Sequence, residues 1–511
     1  MNRSRTTFRP GGLSLRTLRA SSVWLGFVMC MAAALRFFRL GEKSFWLDEA
    51  VSASLTRMDS RHFILAVVHR QANMVLYYSI LRLWTKFAGS EFFLRSLSVV
   101  FGIAAIPITY LLGKQLFGRR AARVAAILIA VHAFHIQYSK EARSYSLLFL
   151  LAELSSFFFV QSLQRNTRKD WSAYILASVL MLHAHVLGCL VLLAQWLTTL
   201  GLRKNSPRRQ LWLSVVTIAF LASPLAACLL LVSDRSQLAW MGRPSLNNLY
   251  ELCLNLAGNG GPSLLLGYVS MAALAVVWAW VQAGAQPTGE MWKYWFLLTW
   301  LILPALALWA ISFRSPMLLP RFLISCVAPL VLLAADGLSR IRSKIMFSAA
   351  LTILLMLSML GTFSYERTRA NEPTTDDWRG AAGYLASHSA PGDAVFFIWA
   401  EEKIAFDNYA RLDPSSRERL REYPENSDFE LLSQLPPRPS LELLENVVAQ
   451  CNRVWLISAF QSNSTSLGIE TLLESKFSAH TTQHFGFVHT DLFGAPVTGS
   501  ATGEGSCRYS P

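Results

Sequence analysis

The feature that most constrains this chain is a succession of apolar runs, each close to the length that crosses a bilayer. A bilayer's hydrocarbon core takes about 20 apolar residues of helix. Runs near that length occur at 21–38, 93–113, 122–137, 145–163, 172–187, 188–202, 211–232, 263–283, 294–312, 321–337 and 345–363. The reading is a polytopic α-helical membrane protein with about 11 transmembrane helices. His183, His185 and Gly188 favour two short spans over one long one across 172–202. Ala32-Ala33-Ala34 looks like a signal-peptide cleavage site, but Arg36, Phe37 and Phe38 follow at once and favour a retained first span. Composition agrees, because 15% charged residues cannot cover several soluble domains, which carry about 25%.

A net charge of +15 invites nucleic acid, but its distribution excludes that partner. From residue 364 onward there are 12 Lys/Arg against 20 Asp/Glu, a net of −8, so the first 363 residues carry +23. The basic excess sits in alternate short loops: the N-terminus with Arg3, Arg5, Arg9, Arg16 and Arg19, then Lys114–Arg123, Arg165–Lys169, Arg203–Arg209 and Arg340–Lys344. By the positive-inside rule these loops are cytoplasmic. The chain then divides into a cytoplasmic tail (1–20), a membrane domain (21–363) with a long outer loop at 41–92, an extracytoplasmic domain (364–496) and a disordered tail (497–511).

Within the outer loop, Asp59 is an expected helix N-cap for a short surface helix over 60–70. In the C-terminal region, 394–399 and 453–458 read as buried strands and 415–422 and 440–450 as helices, which makes a small α/β domain. Cys253 reads as a loop residue, and Cys451 and Cys507 pair if this domain faces an oxidising compartment. Neither CxxC nor a Cys/His spacing points to zinc.

Charges that break the membrane pattern are the candidates for chemistry. Asp48 and Glu49 follow the first span directly; the bland alternative is a helix start facing its own dipole. Tyr138-Ser139-Lys140-Glu141-Ala142-Arg143-Ser144-Tyr145 makes a polar turn between two spans, where Glu141 and Arg143 could simply pair. Arg95 and Arg321 stand at outer span ends, where snorkelling to headgroups competes with phosphate binding. His185 sits at another outer turn. All of them fall on one side, at headgroup depth, which suits a reaction between a lipid-held phosphate and a group outside.

These residues carry a resemblance. Leu47-Asp48-Glu49-Ala50, Leu76-Tyr77-Tyr78, Glu91-Phe92-Phe93-Leu94-Arg95, the Tyr138–Tyr145 turn, Arg321-Phe322-Leu323 and Asp377-Trp378-Arg379-Gly380 resemble the bacterial protein-mannosyltransferase/ArnT-type glycosyltransferases. The resemblance spans about residues 20 to 400 and implies a GT-C fold and a polyprenyl-phosphate-linked sugar donor. It implies Asp48 as the catalytic carboxylate and general base, supported by Glu49, with Arg95 and Arg321 at the donor phosphate. Tyr77, Tyr138, Glu141, Arg143, Tyr145 and His185 would line the pocket. Many members carry His-Pro-Pro before the Leu-Tyr-Tyr, whereas this chain has Ala72-Asn73-Met74, so a divalent cation is left open. The implied reaction is inverting sugar transfer to a protein, lipid or glycan acceptor at the plasma (inner) membrane. The rival readings are a lipid-linked-sugar flippase, which would place polar groups near the midplane and show inverted repeats, and a non-enzymatic assembly factor.

Overall fold

The computed structural model describes residues 15–200, 207–232, 244–285, 291–371, 376–410, 421–423, 444–445, 448, 451–459 and 464–496. The membrane part begins with α1 (Leu15–Phe37), α2 (Leu47–Arg57), α3 (Ser60–Ala66) and α4 (Val75–Trp84). It continues through α5 (Glu91–Phe117), α6 (Arg119–Ala130), α7 (Ala133–Ser139), α8 (Tyr145–Arg165), α9 (Arg168–Ala184) and α10 (Gly188–Leu200). After these come α11 (Arg208–Leu231), α12 (Leu246–Leu256), α13 (Gly261–Ala285), α14 (Met291–Ser312), a 3-10 turn at Pro320–Cys326, α15 (Val327–Arg340) and α16 (Lys344–Asn371).

Seven described helices are long and apolar enough to cross a membrane, or eight if the bent pair α6–α7 is one span. Three of the expected spans are helical but shorter: the apolar part of α1, α9 and α10. The segment 172–202 does break in two, at an extended His185 (φ −164°, ψ 129°). Gly188 opens α10 so close to α9 that a Cβ there would lie 2.8 Å from Met181 Cγ. Pro320–Arg340 and α8 are largely buried, whereas α11, α13 and α16 keep most of their apolar surface outward, as lipid-facing helices do.

The 57° bend between α6 and α7 has a local cause. The buried Arg36 fork donates to the carbonyls of Ala130 (2.9 Å) and Ile129 (3.3 Å) and to His135 Nδ1 (2.8 Å). A guanidinium at the end of α6 satisfies carbonyls that the helix itself leaves open. The bend aims α7 at the turn 140–144, which Lys140 ties down by donating to Phe38 O at 2.7 Å and pairing with Glu366.

The loop expected at 41–92 therefore holds α2, α3 and α4. Asp59 is its expected N-cap, accepting from the Arg61 and His62 N–H groups. Cys253 lies in α12, not in a loop. The C-terminal region contains α17 (Trp378–His388), β1 (Ala394–Phe397), α18 (Ala400–Ala410), β2 (Arg421–Tyr423), β3 (Arg453–Ser458), α19 (Ser464–Lys476), β4 (Phe477–Phe485) and β5 (Val488–Pro496). They form a five-stranded mixed sheet in the order β2-β1-β3-β5-β4. Both expected strands are present. The expected helix at 415–422 is contradicted at its end: Arg421–Tyr423 pairs in parallel with β1, and Tyr423 stacks on Phe396. Of the expected helix at 440–450 only 444–445 and 448 are described, and these are helical. Residues 1–14, Pro436-Pro437, Cys507 and the tail 497–511 lie outside the described residues.

Helices α13 and α15 cross closely, so that a Cβ on Gly337 would fall 1.8 Å from Met271 O. Gly337→Ala is expected to cost on the order of 1–3 kcal/mol by forcing these helices apart. Gly383→Ala in α17, with nothing within 4 Å of the new Cβ, should leave the unfolding temperature unchanged or higher. Thermal unfolding of the full-length protein in detergent checks both.

Candidate active site

Helix α2 opens at Leu47 behind an extended Trp46 that supplies no side-chain cap. Its first turn holds Asp48 and Glu49 against the positive end of the helix. Successive helical residues point about 100° apart, so the two neighbouring carboxylates have different surroundings.

Glu49 points inward and is fully buried, as is Arg95 in the second turn of α5. Arg95 Nε donates to Glu49 Oε1 at 2.8 Å and Nη2 to Oε2 at 2.6 Å. Its remaining N–H groups go to the carbonyls of Leu40 (3.0 Å), Lys43 (2.8 Å) and Ser44 (2.9 Å). Glu49 Oε1 also accepts the Ala142 N–H at 2.8 Å. One bidentate pair thus joins the loop after α1, the start of α5 and the turn before α8. The sequence places Arg95 at the donor phosphate; here all five of its N–H groups are engaged, and none is left for a phosphate.

Asp48 turns to the open side, with its side chain 31% exposed. Its carboxylate lies 3.5 Å from Arg143 Nη2 and 3.8 Å from Arg321 Nη2. The two arginines are held differently. Arg143 is buried and donates to Tyr78 Oη at 2.7 Å and to Asp48 O at 3.3 Å. Arg321 stacks over Trp46 at 5.2 Å and Phe322 at 5.8 Å, and makes no hydrogen bond among the described residues.

Aromatic rings form the adjoining wall. Tyr138 packs edge-on to Tyr145 at 5.2 Å, Tyr145 faces His185 at 6.2 Å, and His185 faces Phe322 at 5.6 Å. His185 Nδ1 accepts the Leu187 N–H, which leaves Nε2 as the protonated nitrogen of the neutral ring. Glu141 sits half-buried in the turn, whose Arg143 N–H donates to its carbonyl at 2.8 Å. Tyr77, expected in the pocket, lies a layer deeper and bonds Ser98 at 3.0 Å; its neighbour Tyr78 is the tyrosine that reaches Arg143.

Three participants were given no role in the sequence reading: Trp46, Tyr78 and Asp376. Burial pushes the Asp376 carboxyl above the usual carboxylate range, and the nearby Asp48 charge adds to the effect. Trp46 and Tyr78 flank residues already singled out, so the signal for them was proximity to a motif. Asp376 lies more than 300 residues away, and nothing local marks it. Among the described residues no three His, Cys, Asp or Glu side chains are grouped to hold a metal ion. The chemistry below routes no step through a metal.

Removing one member of a buried pair leaves an uncompensated charge, at about 3–5 kcal/mol. Glu49→Ala and Arg95→Met are each expected to destabilise by that order, and Glu49→Leu/Arg95→Met to recover most of the loss. Thermal unfolding of the four proteins measures the cycle; additive losses would show that the pair does not act as a unit.

Residues 73–231 match the family model described as Dolichyl-phosphate-mannose-protein mannosyltransferase. No curated protein sequence matches the chain. Among solved structures, ArnT from Cupriavidus metallidurans bound to undecaprenyl phosphate superposes with a TM-score of 0.61 at 12% identity, over 95% of this chain and 100% of that one. The oligosaccharyltransferase AglB from Archaeoglobus fulgidus, in complex with an inhibitory peptide and a dolichol-phosphate, gives 0.54 at 12% identity over 87% of this chain and 70% of that one. The arabinofuranosyltransferase AftD from Mycobacteria gives 0.52 at 15% identity, over 95% of this chain but 40% of its own. The chain shares the GT-C fold of these solved structures, and residues 73–231 are similar to the protein-mannosyltransferase family.

Proposed function

We propose that the protein transfers a sugar from a polyprenyl-phosphate donor to an acceptor nucleophile on the extracytoplasmic face, with inversion and with Asp48 as general base. The observation that carries this reading is the half-open Asp48 carboxylate beside Arg321, a guanidinium that makes no hydrogen bond among the described residues. Donor phosphate approaching from the lipid meets that guanidinium, which turns from Asp48 to the phosphate, where a second negative charge develops as the sugar leaves. Arg143 stays behind, pinned by Tyr78 and the Asp48 carbonyl, and stays within 3.5 Å of the carboxylate. Asp48 then takes the proton from the acceptor hydroxyl or amine as its lone pair attacks the anomeric carbon. The bond from that carbon to the phosphate oxygen breaks on the opposite face, and Arg321 stabilises the departing charge. A phosphate held this way needs no proton to leave, so one carboxylate suffices. Arg95 positions Glu49 and the loop 40–44.

Topology supports the sidedness. Adding α1, α9 and α10 to the eight longer spans gives eleven crossings, which from a cytoplasmic N-terminus put α2, the turn 140–144 and the C-terminal region outside the plasma membrane. Basic loops at 114–123, 165–169 and 340–344 fall on the other side.

Asp48→Asn is expected to lower kcat by about 10²–10⁴-fold with little change in donor KM, as loss of a general base does. Arg321→Ala should raise donor KM and lower kcat together. Transfer of label from the lipid-linked sugars extracted from the producing cells, assayed in purified membranes, measures both. Full activity in Asp48→Asn would remove the base assignment.

A further inference from the structure

The peptide that carries Asp48 is gripped on both sides by two adjacent residues of α18, from the far end of the chain. Tyr409 Oη accepts the Phe45 N–H at 2.6 Å and donates to Glu91. Asn408 Nδ2 donates to Ala50 O at 3.1 Å, while its Oδ1 accepts from Arg57. Phe45 stands three residues before the carboxylate and Ala50 two after it. Phe45 is buried and precedes the first turn of α2, so its N–H has no helical acceptor, and without Tyr409 it would be a buried orphan donor. Alongside, Ser44 Oγ donates to Asp376 O at 2.7 Å, and Arg379 pairs with the same Glu91 that Tyr409 contacts.

The grip has a firm base. Glu402, fully buried in α18, accepts the N–H groups of Trp399 (2.9 Å) and Ala459 (2.8 Å) and so ties the helix to the end of β3. Lys403, also buried, pairs with Asp407 and with Glu422 of β2. The position of Phe45 and Ala50 is thereby referred to the C-terminal sheet.

We propose that Asn408 and Tyr409 are positioning residues for the base: they fix the backbone on both sides of Asp48 and make the C-terminal region a working part of the catalytic unit. This rests on the assignment of Asp48 above. A displacement of about 1 Å in a catalytic group can cost on the order of 10²-fold in rate, so a few hydrogen bonds remote from the sugar have leverage on turnover. Tyr409→Phe removes only the hydroxyl and keeps the ring that packs near Arg379.

The test uses full-length protein in lipid nanodiscs as wild type, Tyr409→Phe, Asn408→Ala and, as a control on an exposed face of α19, Ser475→Ala. Hydrogen exchange over 41–50 reads the grip, and transfer from the extracted lipid-linked sugars reads its consequence. In Tyr409→Phe the Phe45 amide should exchange about tenfold faster, the equivalent of one neutral hydrogen bond. For both α18 variants kcat should fall about tenfold or more with donor KM within about twofold, the signature of a lost transition-state geometry. Wild-type exchange at Phe45 overturns the proposal, as does faster exchange with unchanged kcat, or exchange that rises equally throughout α5 and α8. Should wild type itself transfer no sugar, the reading of the function fails instead, and the exchange arm still decides whether α18 holds the Asp48 peptide.

Discussion

The site depends on one buried ion pair. Arg95 spends two of its five N–H groups on Glu49 and three on the carbonyls of Leu40, Lys43 and Ser44. A guanidinium is suited to this because its planar fork stays charged and satisfies several acceptors at once. Desolvating the two charges is expensive, so such a pair is weak evidence for stability; what it supplies is register. With the loop after α1, the head of α5 and the Ala142 amide all referred to one carboxylate, Glu49 cannot turn outward. Its neighbour Asp48 is then left facing the opening.

Around that fixed point the other polar groups divide into bound and available. Arg143 and Tyr78 are bound to each other, Lys140 closes the turn onto Phe38 and Glu366, and Arg36 closes the bend between α6 and α7. Arg321 rests on Trp46 and Phe322 and makes no hydrogen bond among the described residues. In the proposed reaction, a carboxylate held in place beside a less tightly bound guanidinium suits a donor that brings its own anionic leaving group.

Much of this was legible in the sequence, for identifiable reasons. Apolar run length marks helices reliably, and each expected span is helical, although only seven or eight pass as full-length crossings. Charges breaking an apolar pattern led to Asp48, Arg143 and Arg321, and the fold brings both guanidiniums within 4 Å of the Asp48 carboxylate. The partners of Arg95 were not legible, because a residue number shows a span end but not the three carbonyls that fold back onto it. Tyr77 was preferred to Tyr78 because the pair alone does not say which helical face meets the turn. Asn408 and Tyr409 were invisible: Glu402, Lys403 and Asp407 make α18 look like a solvated helix, yet all three are buried by ion pairs and backbone amides supplied from β2, β3 and the chain preceding them. Arg421–Tyr423 failed as a helix because a three-residue edge strand takes its conformation from its partner, not from local propensity.

The central claim, that Arg321 and not Arg95 meets the lipid phosphate while Glu49 and Arg95 hold Asp48 in place, is tested most directly by a structure of the full-length protein with undecaprenyl phosphate bound. The account predicts the phosphate against the Arg321 guanidinium, Asp48 released from that side, and Arg95 still bidentate on Glu49. A phosphate seated on Arg95, with Glu49 displaced, would contradict it.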